Sequence, residues 1–250
     1  MITKTELDEL VKKYETTEFI KTDPIQLPHK FSDKKDIELV GFISSLFAFG
    51  SRKVFIKKLE YLFSKMNNKP VDYIKNSNFE ELQGFQYRFA KDVDIIAILN
   101  ILKKLYNESS GLEELFEYGY RQNSTIFEML QVVSDYFYAN ADKTIQNGFY
   151  FMIANPKNKG AMKRLNMFLR WMVRKSDVDF GLWNFIEKSE LLIPLDTHVA
   201  QVSREMNLLG RKSNDFRAVL ELTDKLKEFD PKDPVKYDFA IYAKGIDETL

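Results

Sequence analysis

Apolar residues recur at intervals of three and four along most of the 250-residue chain, which is the spacing of one face of an α-helix. Ile37, Val40, Ile43 and Phe47 lie on one such face, and the stretch DVDIIAILNILKKLY at 92–106 forms a second, longer one. Runs in which apolar and polar residues alternate between turn dipeptides are missing from the sequence. The pattern therefore predicts an all-α protein.

Helix-start residues, glycines and prolines divide this pattern into separate helices. We predict helices at about 37–47, 54–63, 92–106, 112–120, 124–138, 142–153, 160–175, 197–208, 213–229 and 233–246. The sequence NPKNKGAMKR at 155–164 is the clearest loop, and no repeat of fixed period is present.

The composition indicates a folded protein without a global charge preference. The 21 Phe and 12 Tyr residues supply ample material for a core. Because 37 basic residues balance 37 acidic ones, a site for a polyanion must be local. The absence of cysteine excludes disulfides, zinc–thiolate sites, iron–sulfur clusters and thiol nucleophiles.

The N-terminal stretch MITKTELDELVKKYE is a charged amphipathic helix that lacks the apolar core of a secretory signal. The uncharged stretch Leu39–Ser51 has 13 residues, fewer than the roughly 20 that cross a bilayer. We therefore predict a soluble cytoplasmic protein with no membrane association.

The segment from Lys157 to Lys175, KNKGAMKRLNMFLRWMVRK, contains seven basic residues and no acidic one. A lysine-rich loop that leads into a helix start presents backbone N–H groups, the helix dipole and cations together, which suits a phosphate group. The alternative interpretation is a solvated helix whose charges happen to share a sign. The apolar residues of the segment are predicted to form its buried face: Leu165, Phe168, Leu169, Met172 and Val173.

The stretch IPLDTHVAQV at 193–202 places Asp196 at the predicted start of a helix. There its carboxylate can accept a hydrogen bond from the N–H of His198 or Val199, so a role as N-cap is sufficient to explain this aspartate. His198 is interpreted as a packing or surface residue. The two histidines are too far apart in the sequence to argue for a metal site.

The pattern LDTHV, with an amphipathic helix after it and a lysine-bearing helix before it, resembles the helix-hairpin-helix DNA glycosylase superfamily, which includes endonuclease III. Further stretches at 37–63, 84–96 and 233–246 match in the same order, so the resemblance covers about 36–246. The separation of 33 residues between Lys163 and Asp196 is longer than in endonuclease III and similar to the archaeal 8-oxoguanine glycosylase branch. The wider sequence resembles most closely a bacterial family of unestablished function.

Three features of the chain differ from the superfamily pattern. The cysteine-ligated cluster of endonuclease III is absent, as it is from several other branches. The hairpin contains only Gly160, three residues before Lys163. The glutamine that many members insert into the DNA stack corresponds to Ala48, which lies beside Phe49. Base recognition is therefore not carried over from the resemblance.

The resemblance implies a DNA base-excision glycosylase with associated lyase activity, acting on double-stranded DNA with a damaged base such as an oxidised purine. It assigns the Schiff-base lysine to Lys163 and the catalytic aspartate to Asp196, and we expect no cofactor or metal. Candidate contacts to the DNA backbone are Lys157, Lys159, Arg164, Arg170 and Arg174. Candidate residues of a base pocket are Trp171, Trp183 and Phe49.

The implied fold has two helical subdomains with the site in a cleft between them. We predict a six-helix domain at 36–175, which ends in the basic segment, and a second domain from 1–35 and 176–250. Two other functions are considered: a DNA-binding module without catalysis, and a helical scaffold for protein interactions. The discriminating geometric observation is whether the Lys163 amine faces the Asp196 carboxylate.

Overall fold

The computed structural model describes residues 2–247, which fold into α-helices, short 3₁₀ turns and loops without a β-strand. The predicted all-α class is confirmed. The helices in this part of the chain are α1 (Lys4–Tyr14), α2 (Thr17–Ile20), α3 (Lys34–Leu46), α4 (Arg52–Ser64), α5 (Pro70–Asn76), α6 (Asp92–Glu108), α7 (Leu112–Asn123), α8 (Ile126–Asn140), α9 (Asn147–Met152), α10 (Lys163–Val173), α11 (Thr197–Glu205), α12 (Phe216–Phe229) and α13 (Tyr237–Asp247).

Several helices begin at a side chain that accepts a hydrogen bond from the first turn, which satisfies N–H groups that have no partner within the helix. Thr3 and Glu6 form a reciprocal capping box at α1. The N-caps of α3, α8 and α12 are Asp33, Thr125 and Asp215, whose side chains accept a hydrogen bond from the first turn. These short polar side chains set the residues at which the amphipathic segments begin to form a helix.

The helix α9 begins later than the sequence predicts. Asp142 was expected to start it, but its carboxylate accepts from the backbone N–H and the hydroxyl of Thr144 and so closes a local turn. The chain next donates the N–H of Gln146 to the buried Asp94 at 2.6 Å. Asn147 is therefore the first residue of α9.

The described residues form two compact units, one from residues 24–158 and one from residues 2–23 together with 159–247. We call the contiguous unit the central unit and the other the terminal unit. The boundaries predicted from the sequence are at 35/36 and 175/176, which would place α10 in the central domain. In the structure α10 belongs to the terminal unit. Among residues 2–247, no helix combines the length and the apolar character needed to cross a bilayer.

In the central unit, the start of α7 depends on a carboxylate from another helix. Glu38 of α3 is fully buried and accepts the N–H of Leu112 at 2.9 Å and that of Glu113 at 3.1 Å. It also accepts the hydroxyl of Tyr106 at 2.7 Å, and burial followed by the charge of Glu38 raises the pKa of Tyr106 well above its ordinary value. Gly111 precedes α7 at φ +105°, where a Cβ atom would collide with the Tyr106 ring.

Substitution Glu38→Gln should destabilise the protein by about 2–4 kcal/mol, because an amide cannot accept all of these hydrogen bonds and leaves a buried N–H without a partner. The measurement is urea unfolding followed by circular dichroism. Glu108→Gln is the matched control, since Glu108 is exposed on α6, and it should change the free energy of unfolding by less than about 0.5 kcal/mol. Equal stability of the two variants would contradict the role of Glu38 as a remote cap.

Candidate functional site

Lys163 is the first residue of α10, and the chain reaches it through an unusual backbone conformation. Met162 has a left-handed backbone with φ 52° and is buried. Its carbonyl accepts the N–H of Asn166 at 3.0 Å, which closes the first turn of α10. A non-glycine residue in this region is strained, and such residues often lie at functional sites. The buried Met162 side chain thus fixes the point at which Lys163 leaves the loop.

Asp196 is the N-cap of α11, as the sequence predicts. Its Oδ1 atom accepts the N–H of Val199 at 2.9 Å, which decides between the two donors that the sequence left open. The preceding residues Ile193, Pro194 and Leu195 are buried and hold the chain as it enters the helix. The Oδ1 atom is therefore bound to the backbone of α11, and the Oδ2 atom is available for another partner.

The second carboxylate oxygen of Asp196 faces Lys163. The Lys163 Nζ and Asp196 Oδ2 atoms are 4.0 Å apart, and the side chains are 26% and 31% exposed. Nζ also approaches the Met167 sulfur at 3.4 Å, one turn along α10. The structure thus brings together the two residues that the sequence paired, at the starts of two helices in the terminal unit.

His198 packs α11 against α13 instead of entering this pair. Its Nε2 atom lies 3.2 Å from the carbonyl oxygen of Tyr242, and its ring meets the Tyr242 ring edge-on. Gly245 permits this close packing, because a Cβ atom there would lie 2.4 Å from the His198 ring nitrogen. The histidine of the LDTHV motif is a packing residue, in agreement with its interpretation from the sequence.

Arg170, two turns after Lys163 on α10, is buried in the terminal unit. Its Nε atom donates to Asp179 at 3.2 Å and its Nη1 atom donates to Asp238. The guanidinium lies over the Phe239 ring, 4.2 Å from its centre. Burial alone would lower the pKa of Arg170, but the charges of Asp179 and Asp238 outweigh it and raise the pKa.

Arg174, one turn further, joins three carboxylates. Its Nε atom donates to both oxygens of Asp233 at 3.0 Å, and its Nη1 atom donates to Asp179 at 3.0 Å. The same guanidinium is bidentate to Glu15, which lies 159 residues earlier in the chain. Burial opposes the charged form, but the carboxylates raise the pKa of Arg174 far above its ordinary range.

The positions of Arg170 and Arg174 correct an expectation from the sequence. Both were predicted to contact a DNA backbone, but they are only 3% and 5% exposed, and carboxylates occupy their donors. The interpretation of the segment as a solvated helix also does not hold for this part, because every residue from Leu165 to Arg174 is buried. The apolar face predicted for this helix is confirmed.

The two tryptophans also lie elsewhere than predicted. Trp171 and Trp183 were candidates for stacking on a base, but they are 0% and 1% exposed. Trp183 meets the Phe168 ring edge-on at 5.2 Å, so it contributes to the core of the terminal unit. Neither indole presents a face to a ligand.

Phe49, the third candidate for the base pocket, lies in an aromatic cluster of the central unit. Its ring centre is 5.6 Å from that of Phe89 and 4.9 Å from that of Phe151, which are 45% and 41% exposed. Phe89 stands at the tip of a tight turn in which Tyr87 and Ala90 exchange both backbone hydrogen bonds. We call Phe49, Phe89 and Phe151 the exposed aromatic cluster.

The remaining cations of the basic segment are closer to solvent. Lys157 and Lys159 are exposed, in the central and the terminal unit respectively. Arg164 is half-buried, and burial lowers its pKa to about 10. In the part of the chain that the structure describes, no three histidine, aspartate or glutamate side chains are placed to hold a metal ion.

Sequence reasoning did not identify the carboxylates that match the buried arginines. These are Glu15, Asp179, Asp233 and Asp238. A signal was present, since Arg170 and Arg174 are four residues apart and the three residues between them are apolar. Such a pair on a buried face requires acidic partners, although the spacing cannot say which.

Asp196→Asn and Asp196→Ala should separate the cap from the charge. Asparagine caps a helix about as well as aspartate, so Asp196→Asn should change the free energy of unfolding by less than about 0.5 kcal/mol, whereas Asp196→Ala should lose about 1 kcal/mol. Thermal unfolding of the two variants and the unchanged protein measures this. A loss in Asp196→Asn as large as in Asp196→Ala would show that the Lys163 ion pair, and not the cap, stabilises this helix start.

The chain was compared with known protein families, curated proteins and solved structures. No curated protein and no solved structure matches it significantly. The model of a family described as "protein of unknown function (DUF2400)" matches residues 23–247, which include α10, Asp196 and Asp238. Since this match covers most of the chain, the protein belongs to that family of unknown function.

Proposed function

We propose that this protein is a DNA base-excision glycosylase with associated lyase activity, in which Lys163 is the nucleophile and Asp196 the catalytic carboxylate. The observation that carries the proposal is the approach of Lys163 Nζ and Asp196 Oδ2 to 4.0 Å, with both side chains partly open to solvent. The all-α fold and the resemblance of LDTHV to the helix-hairpin-helix glycosylases support it. An oxidised purine is the first class of substrate to test.

The proposed reaction uses each member of the pair once. The bond between C1′ and the damaged base breaks, its electron pair leaves with the base, and the base takes up a proton. The Asp196 carboxylate stabilises the positive charge that develops on the sugar. A neutral Lys163 amine forms a bond to C1′ and loses a proton, which balances the proton taken up by the base. The C1′–O4′ bond then breaks, O4′ takes up a proton from solvent, and a protonated Schiff base remains between Lys163 and C1′. Loss of a proton from C2′ with departure of the 3′ phosphate would form a C2′–C3′ double bond and cleave the strand.

The cap geometry of Asp196 suits this role. A carboxylate that accepts a hydrogen bond from a helix N-terminus is held as an anion in a fixed position. Because only Oδ1 is used by Val199, Oδ2 is directed toward Lys163. The carboxylate thus needs no rearrangement in order to face a charge that develops beside the amine.

The central unit has a surface suited to nucleic acid. Two of the three stretches that form the exposed aromatic cluster carry basic residues, since 49–53 (FGSRK) and 87–91 (YRFAK) contain four basic residues and no acidic one. Arg88, next to Phe89, has a left-handed backbone with φ 54°. Aromatic rings beside cations are the combination with which proteins hold unpaired bases and the backbone between them.

This cluster also favours a second candidate function, a DNA-binding module without catalysis. Binding through the cluster requires neither Lys163 nor Asp196, which both lie in the terminal unit. The two functions differ in their dependence on these residues. Only the enzyme should form a covalent complex with DNA.

Borohydride trapping tests the catalytic proposal. The protein is incubated with duplex DNA that carries an abasic site or 8-oxoguanine, and a reduced Schiff base is detected as a protein–DNA adduct on a denaturing gel. We expect an adduct with the unchanged protein and none with Lys163→Ala. Asp196→Asn should reduce adduct formation on 8-oxoguanine DNA by about 100-fold, because the developing cation loses its stabilising charge.

Lys163→Arg is the matched control, because it keeps a cation opposite Asp196 but has no amine that forms the Schiff base. It should fold and bind DNA as the unchanged protein does, and should give no adduct. An adduct that persists in Lys163→Ala would remove the lysine from the mechanism. Salt-sensitive binding without an adduct on either substrate would favour the DNA-binding module.

Removal of the rings of the exposed aromatic cluster should weaken DNA binding. The variant Phe89→Ala/Phe151→Ala should lose about 1–3 kcal/mol of binding free energy for each base that stacks, or at least about 5-fold in affinity. Fluorescence anisotropy with a labelled single strand and a labelled duplex measures this. Tyr118→Ala is the control, since Tyr118 is 60% exposed on α7 outside the cluster. Equal affinity of the two variants would contradict a role for the cluster.

A further inference from the structure

Asp238 is a buried carboxylate on the first turn of α13 that the proposed mechanism does not use. It is only 6% exposed and accepts a hydrogen bond from Arg170 Nη1. Asp179 at 3.2 Å and the Phe239 ring hold the same guanidinium from other directions. Asp238 is therefore fixed in position by a side chain that cannot itself give up its charge.

Asp238 also lies within the electrostatic reach of the candidate site. Arg170 follows Lys163 by seven residues, which is two turns or about 10 Å on the same face of α10. Asp196 begins α11, and α11 packs against α13 through His198 and Tyr242. The charges of both Asp196 and Lys163 act on Asp238. The helix α10 therefore contributes a cation to two ion pairs, the half-exposed pair of Lys163 with Asp196 and the buried pair of Arg170 with Asp238.

The charges of the buried cluster do not balance. Two guanidinium groups face four carboxylates, those of Glu15, Asp179, Asp233 and Asp238, and the exposed Lys188 reaches only Asp233, at 3.4 Å. The structure therefore holds more negative charge than buried positive charge at this place. A proton can relieve that excess at physiological pH if one carboxylate takes it up readily.

Among the residues described, Asp238 is the member of the four with the fewest hydrogen bonds to a guanidinium, because it accepts one, from Arg170. Asp179, whose pKa burial also raises, accepts from both arginines, and Glu15 and Asp233 each accept two bonds from Arg174. Asp238 is therefore the carboxylate whose protonation costs least.

Burial is the largest influence on the pKa of Asp238 and raises it, and the charges of Asp196 and Asp179 act in the same direction. Arg170 and Lys163, both on α10, oppose them, and the resulting pKa is about 6. The charge of Asp23 raises the pKa of Arg170 and so affects Asp238 indirectly.

We propose that Asp238 is a positioning residue of the Lys163–Asp196 pair, whose negative charge attracts the Lys163 side chain when present and releases it when a proton is bound. Its consequence for catalysis rests on the proposed function. A nearby negative charge favours the cationic form of an amine, whereas formation of a Schiff base requires the neutral form. The protonation state of Asp238 therefore links the reactivity of Lys163 to pH.

The first test needs the protein alone. Its lysines are methylated reductively with ¹³C-formaldehyde, the Lys163 resonance is identified by its absence in Lys163→Arg, and its chemical shift is followed from pH 4.5 to 8. We expect an inflection near pH 6 in the folded protein and its loss in Asp238→Asn. The control Asp224→Asn should keep the inflection, because Asp224 is exposed on α12 and pairs only with Lys227 in the part of the chain described.

Asp238→Asn removes a partner of a buried arginine and can therefore lower stability. If this variant does not fold, Asp238→Glu replaces it; this variant retains a carboxylate at a changed distance, so the midpoint of the inflection should move by at least about 0.3 pH units. No inflection between pH 5 and 7 in the unchanged protein overturns the proposal. An inflection that is identical in the Asp238 variant overturns it as well.

The second test separates this inference from the proposed function. Adduct formation with abasic DNA is followed in cyanoborohydride between pH 5 and 8 for the unchanged protein and Asp238→Asn. We expect the profile of the unchanged protein to change slope near pH 6 and that of the variant to lose this change. An adduct with identical profiles in both proteins overturns the role of Asp238 and leaves the enzyme proposal intact. The absence of any adduct overturns the enzyme proposal, and the inflection of the Lys163 resonance then decides the electrostatic link by itself.

Discussion

A guanidinium group that is removed from water must be matched by carboxylates, since it keeps its charge at every pH that a protein meets. Two such groups, Arg170 in α10 and Arg174 at its C-cap, lie on a buried segment that is mostly apolar. Their partners come from α1, from the segment that follows α10, and from the residues around the start of α13. Breaking one buried pair of this kind typically costs about 3–5 kcal/mol, so the arrangement tolerates little displacement of α10. The direction in which Lys163 leaves the start of that helix is fixed as a result.

Asp196 serves both as a helix cap and as the anion that faces Lys163. As an N-cap, it satisfies a backbone N–H of α11; as an anion, it faces Lys163 with its second oxygen. The cap holds the carboxylate in place without a further side chain. Both residues of the pair are thus positioned by helix starts, Lys163 by the buried Met162 turn and Asp196 by its own cap. A preorganised charge of this kind is the property that electrostatic catalysis needs.

The periodicity of apolar residues predicted the helices and the buried face of α10, because the residues on the buried side of a helix recur every three to four positions. The aspartate before an amphipathic helix predicted the cap at Asp196, and the family resemblance paired it with Lys163. The environment of Arg170 and Arg174 could not be predicted. Basic residues that bind phosphates and basic residues that bind buried carboxylates cannot be distinguished by their sequence pattern. The tryptophans were misplaced for a similar reason, because hydrophobicity does not say whether an aromatic ring on a helix ends in the core or on the surface. Phe89 and Phe151 owe their exposure to a tight turn and a short helix, features that long-range packing decides.

The ion pair between Arg174 and Glu15 joins residues that are 159 positions apart, and Asp233 and Asp238 lie a further 59 and 64 positions beyond Arg174. During synthesis the central unit, which is contiguous, can fold as soon as it leaves the ribosome. The terminal unit must wait until the helix α13 has emerged, and until then Arg170 and Arg174 lack most of their partners. The Lys163–Asp196 pair is therefore assembled last, so that in a nascent or truncated chain Lys163 would not yet face Asp196.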